Sequence, residues 1–224
     1  MDSRAFDQWM DVVAFEDLFW SVEADIRKDG RWIDVQHPRK PLTKHDNEYL
    51  PLLMLAKHEY GARQNWDMRL EVRATVQEET VEGHSFDAEF RFLPMQPDWI
   101  DQGRQGRIEF VRGMSTEQSL EFRLQNETLQ RDGFVSGPIR DMDHDISEMK
   151  AAILAATRNK SGKNYAKDTV LVIWLRDEKN PNFAGHAFAD EGFLDEIRRE
   201  AGRFASLCIV GIASGCRWVK GSGL

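Results

Sequence analysis

The amino-acid sequence predicts an α/β protein with a mixed central sheet, in which antiparallel strands precede a parallel strand–helix–strand unit and helices flank the sheet. Apolar and polar residues alternate strictly over residues 68–76 and 86–92, as they do in half-buried antiparallel strands. Two unbroken apolar runs follow, TVLVIWL at 169–175 and LCIVGI at 207–212. Such runs are typical of neighbouring parallel strands that are covered on both faces.

Helical spacing of apolar residues predicts the remaining elements. Asn47 is a suitable helix cap, and Pro51 falls in the first turn, where its missing N–H is not needed. The segment RIEFVR at 107–112 predicts a third strand after the first two. Alternating apolar residues at 120–124 predict either a fourth strand or an insertion outside the core. The predicted helices cover residues 3–27, 47–60, 143–158 and 193–204.

Length and composition favour one globular unit. We expect a single α/β domain over residues 1–224, with a helix and loop at 1–45 packing on a core at 46–212 and a C-terminal edge at 213–224. The net charge is -8, with 41% hydrophobic and 30% charged residues, which excludes a disordered chain. No apolar run approaches the roughly 20 residues of a membrane span, so we expect no membrane partner.

The N-terminus and the cysteines indicate a reduced, cytoplasmic protein. Charged residues at 2, 4, 7 and 11 interrupt any secretory apolar segment. The two cysteines, Cys208 and Cys216, are too few for a disulfide framework and lack the spacing of a metal site.

Two acidic residues on neighbouring predicted strands carry a family resemblance. The segments SFDAEF at 85–90 and RIEFVR at 107–112 look like the "PD" and "(D/E)xK" strands of the PD-(D/E)xK restriction-endonuclease-like superfamily. The helix and basic turn AAILAATRNKSGKNY at 151–165, followed by the strand at 169–175, is also similar to that family. The resemblance spans most of the chain, and it implies a restriction-endonuclease-like fold.

The resemblance implies a Mg²⁺-dependent or Mn²⁺-dependent nuclease with Asp87 and Glu109 as metal ligands. It also implies nucleic acid as a partner and allows a homodimer. The chemistry requires two carboxylates that converge on a hard divalent cation, which keeps waters for a phosphate and a nucleophile. Acids on adjacent strands meet this requirement if both lie on the same face of the sheet.

The family's lysine is missing, because Val111 stands at its position. If the chain is an enzyme, an ammonium must reach the carboxylates from elsewhere to orient water or to stabilise developing charge. Lys150 is the first candidate, because it follows the core-facing Met149. Lys163 is the second, and Lys160 in the same basic turn is a further source.

Other interpretations stay open. Asp87 and Glu109 also fit an ordinary solvated sheet face, and without the lysine the chain would be a catalytically silent scaffold for protein or nucleic-acid interaction. A small-molecule enzyme would show a glycine-rich turn after the first parallel strand, but RDEKNP follows Leu175. The acidic cluster at 141–145 fits helix capping better than metal ligation.

Overall fold

The structure is a computed structural model, and it describes residues 3–28, 45–62, 68–81, 84–94, 105–113, 142–163, 165–175 and 187–221. Within these ranges lie one seven-stranded sheet and four α-helices. The helices are α1 (Val12–Lys28), α2 (Leu50–Ala62), α3 (Met142–Ser161) and α4 (Glu191–Glu200). A short 3-10 helix (Ser3–Asp7) precedes the first strand, and a π-helical turn (His45–Tyr49) leads into α2. The predicted strand at 120–124 lies outside the described residues.

The strands follow one another across the open sheet in chain order. Pairing is antiparallel from β1 to β4, parallel from β4 through β5 to β6, and antiparallel again between β6 and β7. The predicted mixed α/β sheet is therefore confirmed, including the parallel pairing of the two apolar runs. The strands are β1 (Met10–Asp11), β2 (Met68–Val81), β3 (His84–Pro94), β4 (Gln105–Arg112), β5 (Thr169–Leu175), β6 (Ser206–Gly211) and β7 (Gly215–Lys220).

Each face of the sheet has its own apolar core. Even-numbered residues of β4 and β5, such as Ile108 and Val172, pack with α1 and α2. Odd-numbered residues of β5, such as Leu171 and Ile173, pack with α3 and α4. Because β5 is completely buried along its length, both of its faces lose apolar surface to the core, as its unbroken apolar sequence predicts.

The N-terminal helix is shorter than the predicted 3–27. Met10 and Asp11 pair with Val72 and Glu71 of β2, so the chain is extended at this point. The Asp11 side chain then accepts a hydrogen bond from the Ala14 N–H at 2.8 Å, which caps α1. Helical periodicity across residues 6–13 did not reveal this break, because the edge pairing with β2 depends on residues far along the chain.

Gly106 lies at a close approach between β3 and β5. A Cβ atom at this position would lie 2.6 Å from the Phe90 ring and 3.2 Å from the Asp168 carbonyl oxygen. We therefore expect Gly106→Ala to lower the free energy of unfolding by about 1–3 kcal/mol through overpacking. Gly162→Ala is the control, because its nearest contact would be an ordinary 3.6 Å. Equal urea midpoints for the two variants would contradict this packing.

Candidate active site

A polar cleft of about 330 Å³ opens beside the C-terminal half of β4. It contains both acidic residues of the family resemblance, Asp87 and Glu109, together with two lysines, Lys160 and Lys163. The remaining lining residues are Asn47, Glu48, Phe110, Val111 and Arg112. The structure thus brings residues from β3, β4, the end of α3 and the turn before α2 to one place.

The sheet register explains why the two acids share this cleft. Antiparallel pairing joins Ala88 to Ile108 and Glu89 to Arg107. Asp87 lies two residues from Glu89, and Glu109 lies two residues from Arg107, so the strand period of two places both acids on the face of that pair. Directly opposed residues of antiparallel strands project from the same face of the sheet. The Phe110 N–H donates to Asp87 Oδ2 at 2.8 Å, which holds that carboxylate against β4.

The Glu109 carboxylate is nearly buried and is bound through one oxygen. Its Oε1 accepts a hydrogen bond from the Tyr165 hydroxyl at 3.0 Å and also contacts the Lys160 ammonium in an ion pair. The exposed fractions of the two charged side chains are 6% for Glu109 and 15% for Lys160. Glu109 Oε2 accepts no hydrogen bond from the described residues. One oxygen of this acid is therefore fixed by protein donors, whereas no residue in the described ranges donates to the other.

The candidate lysines lie in different places. Lys150 donates to Asp190 Oδ2 at 2.7 Å and lies over the Phe193 ring, so α4 holds it. This ammonium, together with the Phe193 N–H, lowers the pKa of the Asp190 carboxyl. Lys163 lines the cleft, and its ammonium has no hydrogen bond or ion pair within the described part of the chain. Lys160 is the lysine that contacts Glu109.

Helical geometry explains why Lys160 and not Lys150 reaches the acid. Successive residues of an α-helix are rotated by about 100°, so Lys150 points away from the direction of the buried Met149. The core-facing stripe of α3 runs through Met149, Ile153 and Ala156 at intervals of four and three residues. A further interval of four ends at Lys160. The stripe itself was the sequence signal for this lysine.

Glu48 is a site residue that the sequence patterns did not single out. It lines the cleft from the π-helical turn, and its Oε2 atom is buried. The adjacent Tyr49 hydroxyl is also buried; desolvation raises the pKa of Tyr49, and the charges of Glu48 and Asp7 raise it further. The turn is tied to β4 because Arg112 Nε donates to Asn47 Oδ1. Glu48 comes directly after the predicted cap at Asn47. Acids are common in the first turn of a helix, so its position in the sequence gave no sign of a site.

The cleft brings together a restricted set of ligand types. In the part of the chain that the structure describes, no group of three or more His, Cys, Asp or Glu side chains has the arrangement of a metal site. Two oxygen-donating acids suit a hard cation that keeps several waters, since Mg²⁺ is commonly bound by one or two carboxylates plus substrate phosphates. Asp87 and Glu109 in the cleft are oxygen donors of this kind.

The other candidate features do not line the cleft, and Asp141 of the acidic cluster lies outside the described residues. Asp143 and Asp145 lie in the first turn of α3, where acids complement the helix dipole, as the capping interpretation expects. The thiol of Cys208 is buried, and desolvation raises its pKa.

Within the described residues, no helix is long and apolar enough to cross a membrane.

Comparison with known proteins provides no relative for this chain. No protein-family model, no curated protein and no solved structure matches it.

Proposed function

We propose that the chain is a metal-dependent, nuclease-like enzyme with a restriction-endonuclease-like core, acting on phosphodiesters of nucleic acid. The observation that carries the proposal is the convergence of Asp87, Glu109 and Lys160 in one polar cleft. Carboxylates on neighbouring strands with a lysine against one of them are the groups that such hydrolysis requires. Lys160 supplies the ammonium that Val111 does not.

Each residue has a distinct role in this proposal. Asp87 and Glu109 Oε2 would hold Mg²⁺ or Mn²⁺, which when bound polarises a phosphoryl oxygen and lowers the pKa of a coordinated water. Lys160 orients the attacking water or stabilises the charge that develops on phosphate. Lys163, at the same cleft and with no ion pair among the described residues, attracts the phosphate.

The test is nicking of supercoiled plasmid and cleavage of single-stranded DNA and RNA with Mn²⁺ or Mg²⁺. We expect activity that Asp87→Asn lowers by at least about 100-fold, because a transition-state contact to the cation is lost. Asp195→Asn is the matched control, because Asp195 pairs with Arg198 on the exposed face of α4 and does not line the cleft. Equal activity of the wild type and Asp87→Asn would identify a contaminating nuclease and contradict the proposal.

The occupied oxygen of Glu109 favours a second candidate, a catalytically silent scaffold used for interaction. Lys160 and Tyr165 both bind Oε1, so the acid is already neutralised and hydrogen-bonded without a metal. In that case the ion pair of Glu109 with Lys160 would stabilise the fold and have no catalytic role. The two candidates differ in one measurement: the silent scaffold binds no Mn²⁺ in a calorimetric titration, whereas the enzyme binds it and loses that binding in Asp87→Asn.

A further inference from the structure

We propose that Lys160 is a built-in competitor of the divalent cation at Glu109, so that the lysine controls loading of the metal. This inference rests on the proposed function, because it concerns the same cleft. It goes beyond that function because it states that Lys160 weakens binding of the metal to Glu109.

The contacts of Glu109 supply the first step. The Lys160 ammonium binds Oε1 of a carboxylate that is only 6% exposed, so its positive charge is held against the acid in a poorly solvated place. A cation on Oε2 of the same carboxylate would lie within a few ångströms of that ammonium. Like charges at such separations repel strongly where the effective dielectric constant is low. The two cations therefore oppose each other at one acid.

The position of Lys160 supplies the second step. It lies in the last turn of α3, and the following residue is anchored because the Ser161 hydroxyl donates to the Glu200 carbonyl oxygen at 2.6 Å. Tyr165 packs against Phe204, with ring centroids 5.2 Å apart, while its hydroxyl holds the same Glu109 oxygen. The backbone on both sides of the turn is thus fixed, and relief of the repulsion must come from movement of the flexible lysine side chain.

The charge of the cleft supplies the third step. The lining of the cleft contains three acidic and three basic residues. They are Glu48, Asp87, Glu109, Arg112, Lys160 and Lys163. The side chains alone therefore give the cleft no net negative charge, and removal of one ammonium would leave it acidic. Loss of the Lys160 charge should strengthen attraction of a divalent cation while removing a group that the proposed reaction needs.

Calorimetric titration with Mn²⁺ tests the competition without depending on catalysis. We expect Lys160→Met to bind Mn²⁺ about tenfold or more tightly than the wild type, whereas Lys160→Arg, which keeps the charge, binds like the wild type. Lys150→Met is the matched control, because that lysine lies on the same helix but pairs with Asp190. It should leave the affinity unchanged. Affinity of Lys160→Met that equals or falls below that of the wild type would overturn the competition.

Thermal unfolding with and without Mn²⁺ shows whether each variant is folded and how much the metal stabilises it. Lys160→Met should unfold at a lower temperature than the wild type without metal and should gain more stability from Mn²⁺, because a tighter ligand stabilises the native state more. Equal stabilisation of both proteins would contradict the inference. Absence of binding in the folded wild type and in every variant would instead show that the metal site itself, and with it the proposed function, is wrong.

Discussion

Replacing Glu109 by alanine is expected to lower the free energy of unfolding by about 3–5 kcal/mol, because the partner lysine is left charged and poorly solvated. The Lys160 side chain is only 15% exposed, and its partner acid also accepts the Tyr165 hydroxyl. The substitution therefore removes an acceptor that two donors share. Urea unfolding monitored by tryptophan fluorescence measures the loss.

A double-mutant cycle separates the ion pair from general packing. Glu109→Ala combined with Lys160→Met should lose less stability than the sum of the single changes, since neither charge is left unpaired. The comparison pair is Glu16 with Lys57, which are 2.6 Å apart and have exposed fractions of 29% and 52%. Its coupling should be at most about 1 kcal/mol. Similar coupling energies in both cycles would show that burial does not strengthen the Glu109 pair.

The second large effect concerns four charged residues on the antiparallel half of the sheet, which we call the carboxylate–arginine lattice: Glu71, Arg73, Glu89 and Arg91. Glu89 Oε2 accepts a hydrogen bond from Arg73 Nε at 2.6 Å and forms an ion pair with Arg73 Nη2 at 2.5 Å. Glu71 Oε2 accepts a hydrogen bond from Arg91 Nε at 2.8 Å and forms an ion pair with Arg91 Nη2 at 2.6 Å. The Trp9 ring lies over both guanidinium groups. Each acid is thus buried with a matched arginine.

We expect Glu89→Ala to cost about 3 kcal/mol of unfolding free energy, the low end for breaking a buried ion pair, because the Arg73 guanidinium loses its closest acid while its pair with Asp7 at 3.6 Å remains. Lys28→Ala is the control, since Lys28 forms an exposed pair with Asp25 and should change stability by less than about 1 kcal/mol. The measurement is again the urea midpoint and slope. A Glu89→Ala variant as stable as Lys28→Ala would show that the lattice contributes nothing beyond an exposed pair.

The lattice also shows a limit of strand periodicity. Alternation in β2 and β3 correctly separates two faces, but it does not show whether the polar face is solvated, and Glu71 and Glu89 on that face are each only 6% exposed. The period of two records which residues share a face and says nothing of what covers it. Arginines from the neighbouring strand and Trp9 from before β1 provide the neutralisation and cover, and both depend on register.

The candidate site divides in the same way. The sequence identified Asp87 and Glu109 because the resemblance placed acids on two consecutive strands, and the antiparallel register brings both to one cleft. The resemblance alone did not choose the lysine, because the family's position holds Val111 and Lys150, Lys160 and Lys163 all follow it in the sequence. Lys150 and Lys160 are both lysines on α3, so residue type alone does not distinguish them. Only the helix phase, extended to the last turn, distinguishes the one that pairs with Asp190 from the one that pairs with Glu109.

The sequence by itself determined the class of the fold, because burial of β5 and β6 on both faces requires unbroken apolar runs and local periodicity records that requirement. Only the tertiary structure decided the short pairing of Met10–Asp11, the edge strand Gly215–Lys220 and the partner of each lysine. These features depend on contacts between residues far apart in the chain. Such contacts arise from register and packing, which leave no periodic mark on the segments they join.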